Sequence, residues 1–332
     1  MKKLLTTTIF TLLCSVSLYS ADFVLKFSHV VTSETPKGKA ALFFEKRLEE
    51  LSKGKIDVEV YPSSMLYGDK DIIKAVKLNV IQMACPTFSK FSSLVPQLAV
   101  FDLPFLFRDI DHLHNVQDSQ IGDNLKEKIE KFDLHALDFW DNNFKQISTS
   151  NDKAILKPSD IKGQKFRIMN SNVLKEQFKA FDAIPEVIPF SKVHKALASG
   201  KIDGQENTNS NIYTKRFYEV QKNLTLTNHG YLGYLVVISK KFWDKLPSNL
   251  QKNLKQAMKE ATVKERAYAE ELNTIQLNKI KEYARKTKSL KIHTLSQTQT
   301  KHWREAVKPL YAKFYDESII GEKLIRSIKN TQ

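Results

Sequence analysis

Apolar and polar residues alternate from Phe23 to Ser28 (FVLKFS) and again from Ile56 to Tyr61 (IDVEVY), the period of a half-buried strand. Between these runs the apolar positions 40, 43, 44, 48 and 51 recur at three- and four-residue spacing, which predicts a helix with one buried face. Asp71 to Leu78 continues as a second helix and Val80 to Cys85 as a third strand, giving the element order of an α/β domain. Phe101 to Phe107 (FDLPFLF) is too apolar for an exposed loop and is expected to pack between layers. From about residue 143 the same order restarts. Strands are predicted at Lys145 to Thr149, Lys165 to Met169 and Glu186 to Ile188, with helices at Val173 to Phe181 and at Ser191 to Ser199 before Gly200. Tyr231 to Ser239 (YLGYLVVIS) is rich in β-branched and aromatic residues and suits a strand buried within a sheet. After Pro247, Leu254, Met258, Ala261, Tyr268, Leu272, Ile275 and Tyr283 keep helical spacing, and no Pro or Gly interrupts residues 248 to 288. A helix of 30 or more residues would be about 45 Å or longer at about 1.5 Å per residue, enough to run along two domains. The expectation is two similar α/β halves and one helix long enough to run along both.

The first residues follow another pattern. Lys2 and Lys3 precede a run from Leu4 to Leu18 rich in Leu, Thr and Phe, followed by the small residues Ser20 and Ala21. That is the layout of a secretory signal peptide, too short to span a bilayer, with cleavage expected near Ser20/Ala21. Leu13 stands where a lipoprotein signal carries a small residue before its cysteine, here Cys14. Without the leader Cys85 is the single cysteine, which excludes an internal disulfide and suits a small core residue. No later stretch has the run of apolar residues that a transmembrane helix needs. The 332 residues include 52 Lys+Arg against 37 Asp+Glu, and loss of Lys2 and Lys3 leaves 50 against 37, a net +13. Nucleic acid, an anionic membrane surface or a small anionic ligand would each answer to that charge, and export weakens the first.

Candidate chemistry is sparse. The ten glycines form no GxGxxG, GxxxxGK or GxSxG, so a dinucleotide fingerprint, a P-loop and a nucleophile elbow are unsupported. Only His112 and His114 lie close together among the eight histidines, and without HExxH or paired cysteines no metal signature is present. No catalytic constellation can be argued, so the expectation is a protein that is not an enzyme. Arg167 is distinctive because it sits mid-way in a β-like run, GQKFRIM. A strand-borne arginine either faces solvent, the simpler reading from composition, or is held in a cleft where its planar fork can grip a carboxylate. Lys145 lies within FKQIS and Asn207 within DGQEN, where an amide after a Gly turn either orients a ligand or caps a helix.

A set of ordered motifs covers essentially the whole mature chain. It runs through FSHVV (27–31), TPKGKAA (35–41), VEVYPSSMLYGDKD (58–71) and VFDLPFLF (100–107), then WDNNFKQIS (140–148) and IKGQKFRIM (161–169). It ends with DGQENTNSNIYTKRFYEVQ (203–221) and NHGYLGYLVVISKKFWDKLP (228–247). In these motifs the sequence resembles the periplasmic solute-binding subunit (DctP family) of tripartite ATP-independent periplasmic (TRAP) transporters and, within it, the branch associated with C4-dicarboxylates. The resemblance implies an α/β, two-domain periplasmic-binding-protein-like fold with a long helix spanning both domains. The expected division is a signal peptide over 1–21, domain I over 22–142 plus 233–272, and domain II over 143–232 plus 273–332. It also implies a monomeric, non-enzymatic periplasmic receptor without cofactor or metal, which closes over a small carboxylate and delivers it to TRAP membrane subunits.

By the same resemblance Arg167 matches the family's selectivity arginine, which reverses the solvent reading, and Asn207 would fix the carboxylate geometry. Lys145 occupies the place where sialic-acid-binding members carry a second arginine. Lys145, His29 and Lys37 are expected to hold a second carboxylate, while Met169, Phe190 and Tyr234, with Tyr67 and Asn211, are expected to line the cavity. Two positions depart from the family pattern: Asn143 replaces Gly in WDNGFK and Asn209 replaces Trp in ENTWSN. If that Trp touches ligand in relatives, its loss leaves a larger, more polar cavity, and the acid bound need not be a C4-dicarboxylate. The alternatives are a binder of another carboxylate (a monocarboxylate, 2-oxo acid or sugar acid) and a ligand-sensing protein that feeds a receptor.

Overall fold

The computed structural model describes residues 21–332, so all of the expected leader but Ala21 lies outside the described residues. Among the described residues eleven strands form two sheets. They are β1 (Phe23–Ser28), β2 (Ile56–Tyr61), β3 (Met83–Ala84), β4 (Leu134–Phe144), β5 (Gln146–Thr149), β6 (Lys165–Ile168), β7 (Ile184–Val187), β8 (Gly204–Asn207), β9 (Asn223–Leu226), β10 (Tyr231–Ser239) and β11 (Lys291–Thr294). The first sheet has the order β2-β1-β3-β10-β4 and the second β11-β9-β5-β8-β6-β7. Each is the centre of one lobe. Among the described residues no helix is long and apolar enough to cross a membrane.

The chain passes between the lobes at identifiable places. β4 runs antiparallel to β10 from Leu134↔Ser239 to Phe144↔Tyr231, and Lys145 then carries it into β5 of the second sheet. β9 returns through residues 227–230 into β10, and the Lys145 N–H donates to the Gly230 carbonyl at 2.7 Å, tying the two crossings together. Asn143 lies at the register shift between Leu232 and Gly233 with φ 81°. That left-handed conformation is the reason Gly is at home there, and Asn is among the few residues that tolerate it.

The third link is the helix Ser248–Thr287, 40 residues long and so about 60 Å. Leu250, Leu254, Ala257, Met258 and Ala261 pack in the first lobe's core and Ile280 in the second's. Between them Asn273 donates to the Asn142 carbonyl at 2.9 Å and accepts from the Ser210 N–H at 3.2 Å. The apolar segment at 101–107 packs as expected, with Phe101 stacked on Phe88 at 4.1 Å between ring centres. Cys85 is a buried core residue whose thiol burial pushes up.

Two expectations need correction. Residues 273–332 were assigned to the second domain, but the helix Gln297–Ala312 begins in the second core at Trp303 and Val307 and ends in the first at Leu310 and Tyr311. Phe314, Ile320, Ile325 and Ile328 follow it there and bury their apolar side chains in the first core, a long-range contact that the local period cannot announce. The strand expected over 80–85 shortens to Met83 and Ala84. β4, β8, β9 and β11 gave no strand signal. β8, Gly-Gln-Glu-Asn, is fully buried although three of its four residues are polar, because it sits between β5 and β6.

Candidate functional site

The lobes meet over a small cavity of about 30 Å³ lined by Val30, Val31, Asp69, Thr87, Lys90, Arg167, Met169, Phe190, Asn207, Asn211, Leu232 and Tyr234. Arg167 reaches it from β6. Phe166 and Ile168 on either side enter the second core, so strand alternation turns Arg167 to the opposite face. Its Nε donates to the Ile188 carbonyl at 2.9 Å, which fixes the plane of the guanidinium. Its two terminal nitrogens hydrogen-bond to no described residue. The side chain is 3% exposed, and burial lowers its pKa while Asp69 and Glu206 oppose that shift. A buried guanidinium with two free donors in one plane is the donor set of a bidentate carboxylate grip.

The polar groups beside it are ordered from the second lobe. Asn207 ends β8, and its Oδ1 accepts from the Asn211 Nδ2 at 2.7 Å, leaving its own Nδ2 without a partner among the described residues. The Asn211 Oδ1 is buried and unpartnered. Phe190 lies 6.0 Å from the Arg167 guanidinium carbon, and Met169 closes another wall, its sulfur 4.0 Å from the Ser89 hydroxyl.

From the first lobe, Lys90 projects out of a short 3-10 turn, Phe88–Phe91, whose two phenylalanines are buried. Its ammonium lies 3.9 Å from the Asp69 carboxylate. Burial lowers the Lys90 pKa, Asp69 opposes this, and Arg167 lowers it further. Two cations from opposite lobes thus feel each other across the cavity, an arrangement that an anion between them relieves. On the solvent side a wide groove shares Asp69 and Lys90 with the cavity and is lined by Lys70, Lys74 and Lys77 facing Val187, Ile188 and Pro189.

Of the residues singled out in the sequence, the structure brings Arg167, Asn207, Asn211, Met169, Phe190 and Tyr234 to one cavity. Lys145, His29, Lys37 and Tyr67 are not on its wall. Lys145 is 1% exposed and its ammonium lies 2.6 Å from the Glu206 carboxylate. The other Glu206 oxygen takes the His229 Nε2 at 2.7 Å, and His229 Nδ1 meets Thr227. Burial raises the Glu206 pKa, but Lys145 and His229 outweigh it and hold the carboxyl down at about 2. A Cβ on Gly230 would come within 2.9 Å of the Lys145 side chain, so this glycine makes room for the lysine at the crossing.

Lys37 donates to the Cys85 carbonyl at 2.9 Å and sits 3.5 Å above the Tyr234 ring, behind the wall rather than on it. His29 is fully buried, neither ring nitrogen has a partner, and burial with the nearby Lys37 holds its pKa at about 3. His29 therefore carries no positive charge for a carboxylate and lies off the cavity wall. Tyr67 is half-buried against the first core. Asn209, the departure from the Trp pattern, is buried off the cavity with an unpartnered Oδ1, so the enlarged cavity expected from it does not arise there.

The sequence reading missed Lys90, Asp69 and Thr87. Asp69 stood within the quoted run YGDKD, but Lys90 carried no local signal. A lone lysine between two buried phenylalanines in a short turn looks like any surface cation.

The chain has relatives among known proteins. Residues 27–318 match the family described as bacterial extracellular solute-binding protein, family 7 (DctP). A C4-dicarboxylate-binding periplasmic protein DctP of Shewanella loihica is 42% identical over 311 residues, covering 94% of this chain and 90% of the relative. The structure of a TRAP periplasmic solute binding protein from Sulfurospirillum deleyianum with bound succinate superposes with a TM-score of 0.91 at 51% identity, over 94% of this chain and all of that one. Another, from Pseudomonas aeruginosa with bound L-malate, gives 0.83 at 38% identity over 88% of this chain and all of that one.

Proposed function

The chain belongs to the DctP family of TRAP solute-binding proteins, and from that premise we propose that it binds a C4-dicarboxylate such as succinate, fumarate or malate in the periplasm. It carries the acid between its lobes as a monomer, after export and removal of its signal peptide, and delivers it to the membrane subunits of the transporter. Arg167 grips one carboxylate through its two free terminal nitrogens, with the Asn207 amide fixing the oxygen positions. Lys90, helped by the Thr87 hydroxyl, takes the second carboxylate in place of Lys145, His29 and Lys37. The observation that carries the reading is the Arg167 fork, buried and unpaired in a cavity between the lobes.

Closure follows from the charges. A ligand favours the closed state only by binding it better than the open one, and about 5.5 kcal/mol moves a 1:99 population to 99:1. A dianion that touches Arg167 from one lobe and Lys90 from the other gains its second contact only when the lobes are together. It also relieves the repulsion between the two cations.

The remaining wall favours a short diacid over a sugar acid. Val30, Val31, Met169, Phe190 and Leu232 supply apolar surface, against which the hydroxyls of a sugar acid would lose hydrogen bonds. Calorimetric titration of the purified protein with succinate, fumarate, L-malate, pyruvate and galactonate tests this. Binding of at least one C4-dicarboxylate, tighter than pyruvate or galactonate, is expected. Absence of heat for all three C4 acids would sink the assignment, and tighter galactonate binding would redirect it to sugar acids.

A further inference from the structure

Asp69 belongs to the YGDKD run to which the sequence assigned no role, and it makes two contacts that belong together. Its Oδ2 accepts the backbone N–H of Phe190 at 3.0 Å, and the same oxygen lies 3.9 Å from the Lys90 ammonium. The first contact joins the lobes and the second faces the ligand cavity. Asp69 follows β2, which is one margin of the first sheet, whereas the crossing strand β4 is the other margin with β10 beside it. Phe190 follows β7, the margin of the second sheet, three places from β5 and four from β9. The hydrogen bond therefore connects the two sheet margins furthest, in strand order, from the crossings. A fold that bends at its crossings moves these margins most, so this contact is made on closure and broken on opening.

We propose that Asp69 is the closure latch of this protein, a positioning residue through which the charge of the bound acid is converted into a closed state. The inference rests on the carboxylate-binding reading above. Closing an empty cavity brings Lys90 of the first lobe towards Arg167 of the second with no anion between them. On the first-lobe side Asp69 is the main anion that offsets the Lys90 charge, ahead of Asp102. When a ligand carboxylate takes Lys90, the Asp69 oxygen is free to serve the Phe190 amide fully, and a charge-assisted hydrogen bond holds the mouth shut. Arg167 positions the same segment from inside, because its Nε holds the Ile188 carbonyl two residues before Phe190.

The test compares Asp69→Ala and Asp69→Asn with wild type, using succinate as the probe, stopped-flow fluorescence for rates and small-angle scattering for closure. Asp69→Ala removes the acceptor, and the expected result is dissociation faster by about tenfold to a hundredfold, the usual value of a hydrogen bond to a charged group, with association nearly unchanged. Its succinate-saturated radius of gyration should stay nearer the ligand-free value. Asp69→Asn keeps an oxygen for the Phe190 amide and should restore much of the slow dissociation. Asp69→Ser, too short to reach that amide, should behave like Asp69→Ala and replaces it should the alanine variant fail to fold. Wild-type dissociation from both Asp69→Ala and Asp69→Ser would overturn the latch. So would tighter binding by Asp69→Ala and Asp69→Asn alike, which would make Asp69 only a like charge near the ligand. Failure of wild type to bind any of the carboxylates would instead sink the functional reading and the latch with it.

Discussion

Arg167 and Lys145 are both buried cations on the second lobe's strand framework, yet they face opposite situations. Lys145 has Glu206 at 2.6 Å, with His229 completing the carboxylate's partners. Arg167 has one carbonyl on its Nε and, among the described residues, nothing on its terminal nitrogens. Burying a charge costs several kcal/mol unless it is paired, so a cation that the chain leaves unpaired is held for something the chain does not supply. The paired lysine sits at the crossing between the lobes, and the unpaired arginine is the one proposed to take the ligand. Burial and residue type are shared by the two, and only the partner separates them.

That contrast can be broken most directly by exchanging the two truncations. Lys145→Ala leaves Glu206 buried without its ammonium, and breaking such a pair is expected to cost about 3 to 5 kcal/mol of stability, read as a lower denaturation midpoint. Arg167→Ala leaves no protein anion behind, so its melting should stay close to wild type while affinity for C4-dicarboxylates falls by about 2 to 5 kcal/mol in calorimetry. If Arg167→Ala unfolds the protein and Lys145→Ala abolishes binding at unchanged stability, the two roles are reversed.

Smaller effects sharpen the comparison. Lys90→Ala should weaken dicarboxylates by about 1.5 kcal/mol and leave monocarboxylates nearly unaffected, which a titration of succinate against butyrate reads. Equal losses for both acids would remove Lys90 from the second carboxylate.

Acid should act on the paired site. Glu206 is held at about 2 against an ordinary 4.5, so the stability it contributes is complete above pH 4.5 and lost as pH falls from 4.5 towards 2. His29, at about 3 against 6.5, adds a loss that begins below pH 6.5. Asp102, raised to about 6 by burial against the opposing pull of Lys145, works in the other sense between pH 3.8 and 6. The Glu206 contribution is therefore read most cleanly below pH 3, where Lys145→Ala should flatten the decline in midpoint. An unchanged slope would mean that Lys145 is not what holds Glu206 ionised.

The smallest effect concerns the groove outside the cavity. Reversing Lys70, Lys74 and Lys77 to Glu should slow succinate association about threefold to tenfold at low salt and less at high salt, with dissociation unchanged.

Much of this arrangement was legible in the chain. β1, β2 and β10 matched the predicted strands at their ends, and the long helix ended within one residue of the interruption-free stretch. These are elements whose period and punctuation are local. Arg167, Met169, Tyr234, Asn207 and Asn211 stand in the family-like motifs and Phe190 stands outside them, yet all six line the one cavity. β4 was invisible because Asp138, Asp141, Asn142 and Asn143 break any alternation, each for a reason of its own: Asp141 is bound by Tyr231 and His114, and Asn142 by Tyr234 and Ser210.

By itself, then, the sequence determined the two α/β lobes, the helix that braces them and the arginine, since periodicity and side-chain chemistry are written within a few residues. Which of the other basic groups would face the ligand was decided only by the tertiary structure. Lys145 meets Glu206 across 61 positions of chain and Phe190 meets Asp69 across 121. Whether a buried cation meets a close carboxylate, as Lys145 does, or keeps its terminal nitrogens unpaired, as Arg167 does, is a property of the assembled lobes rather than of the segment in which the lysine or arginine stands.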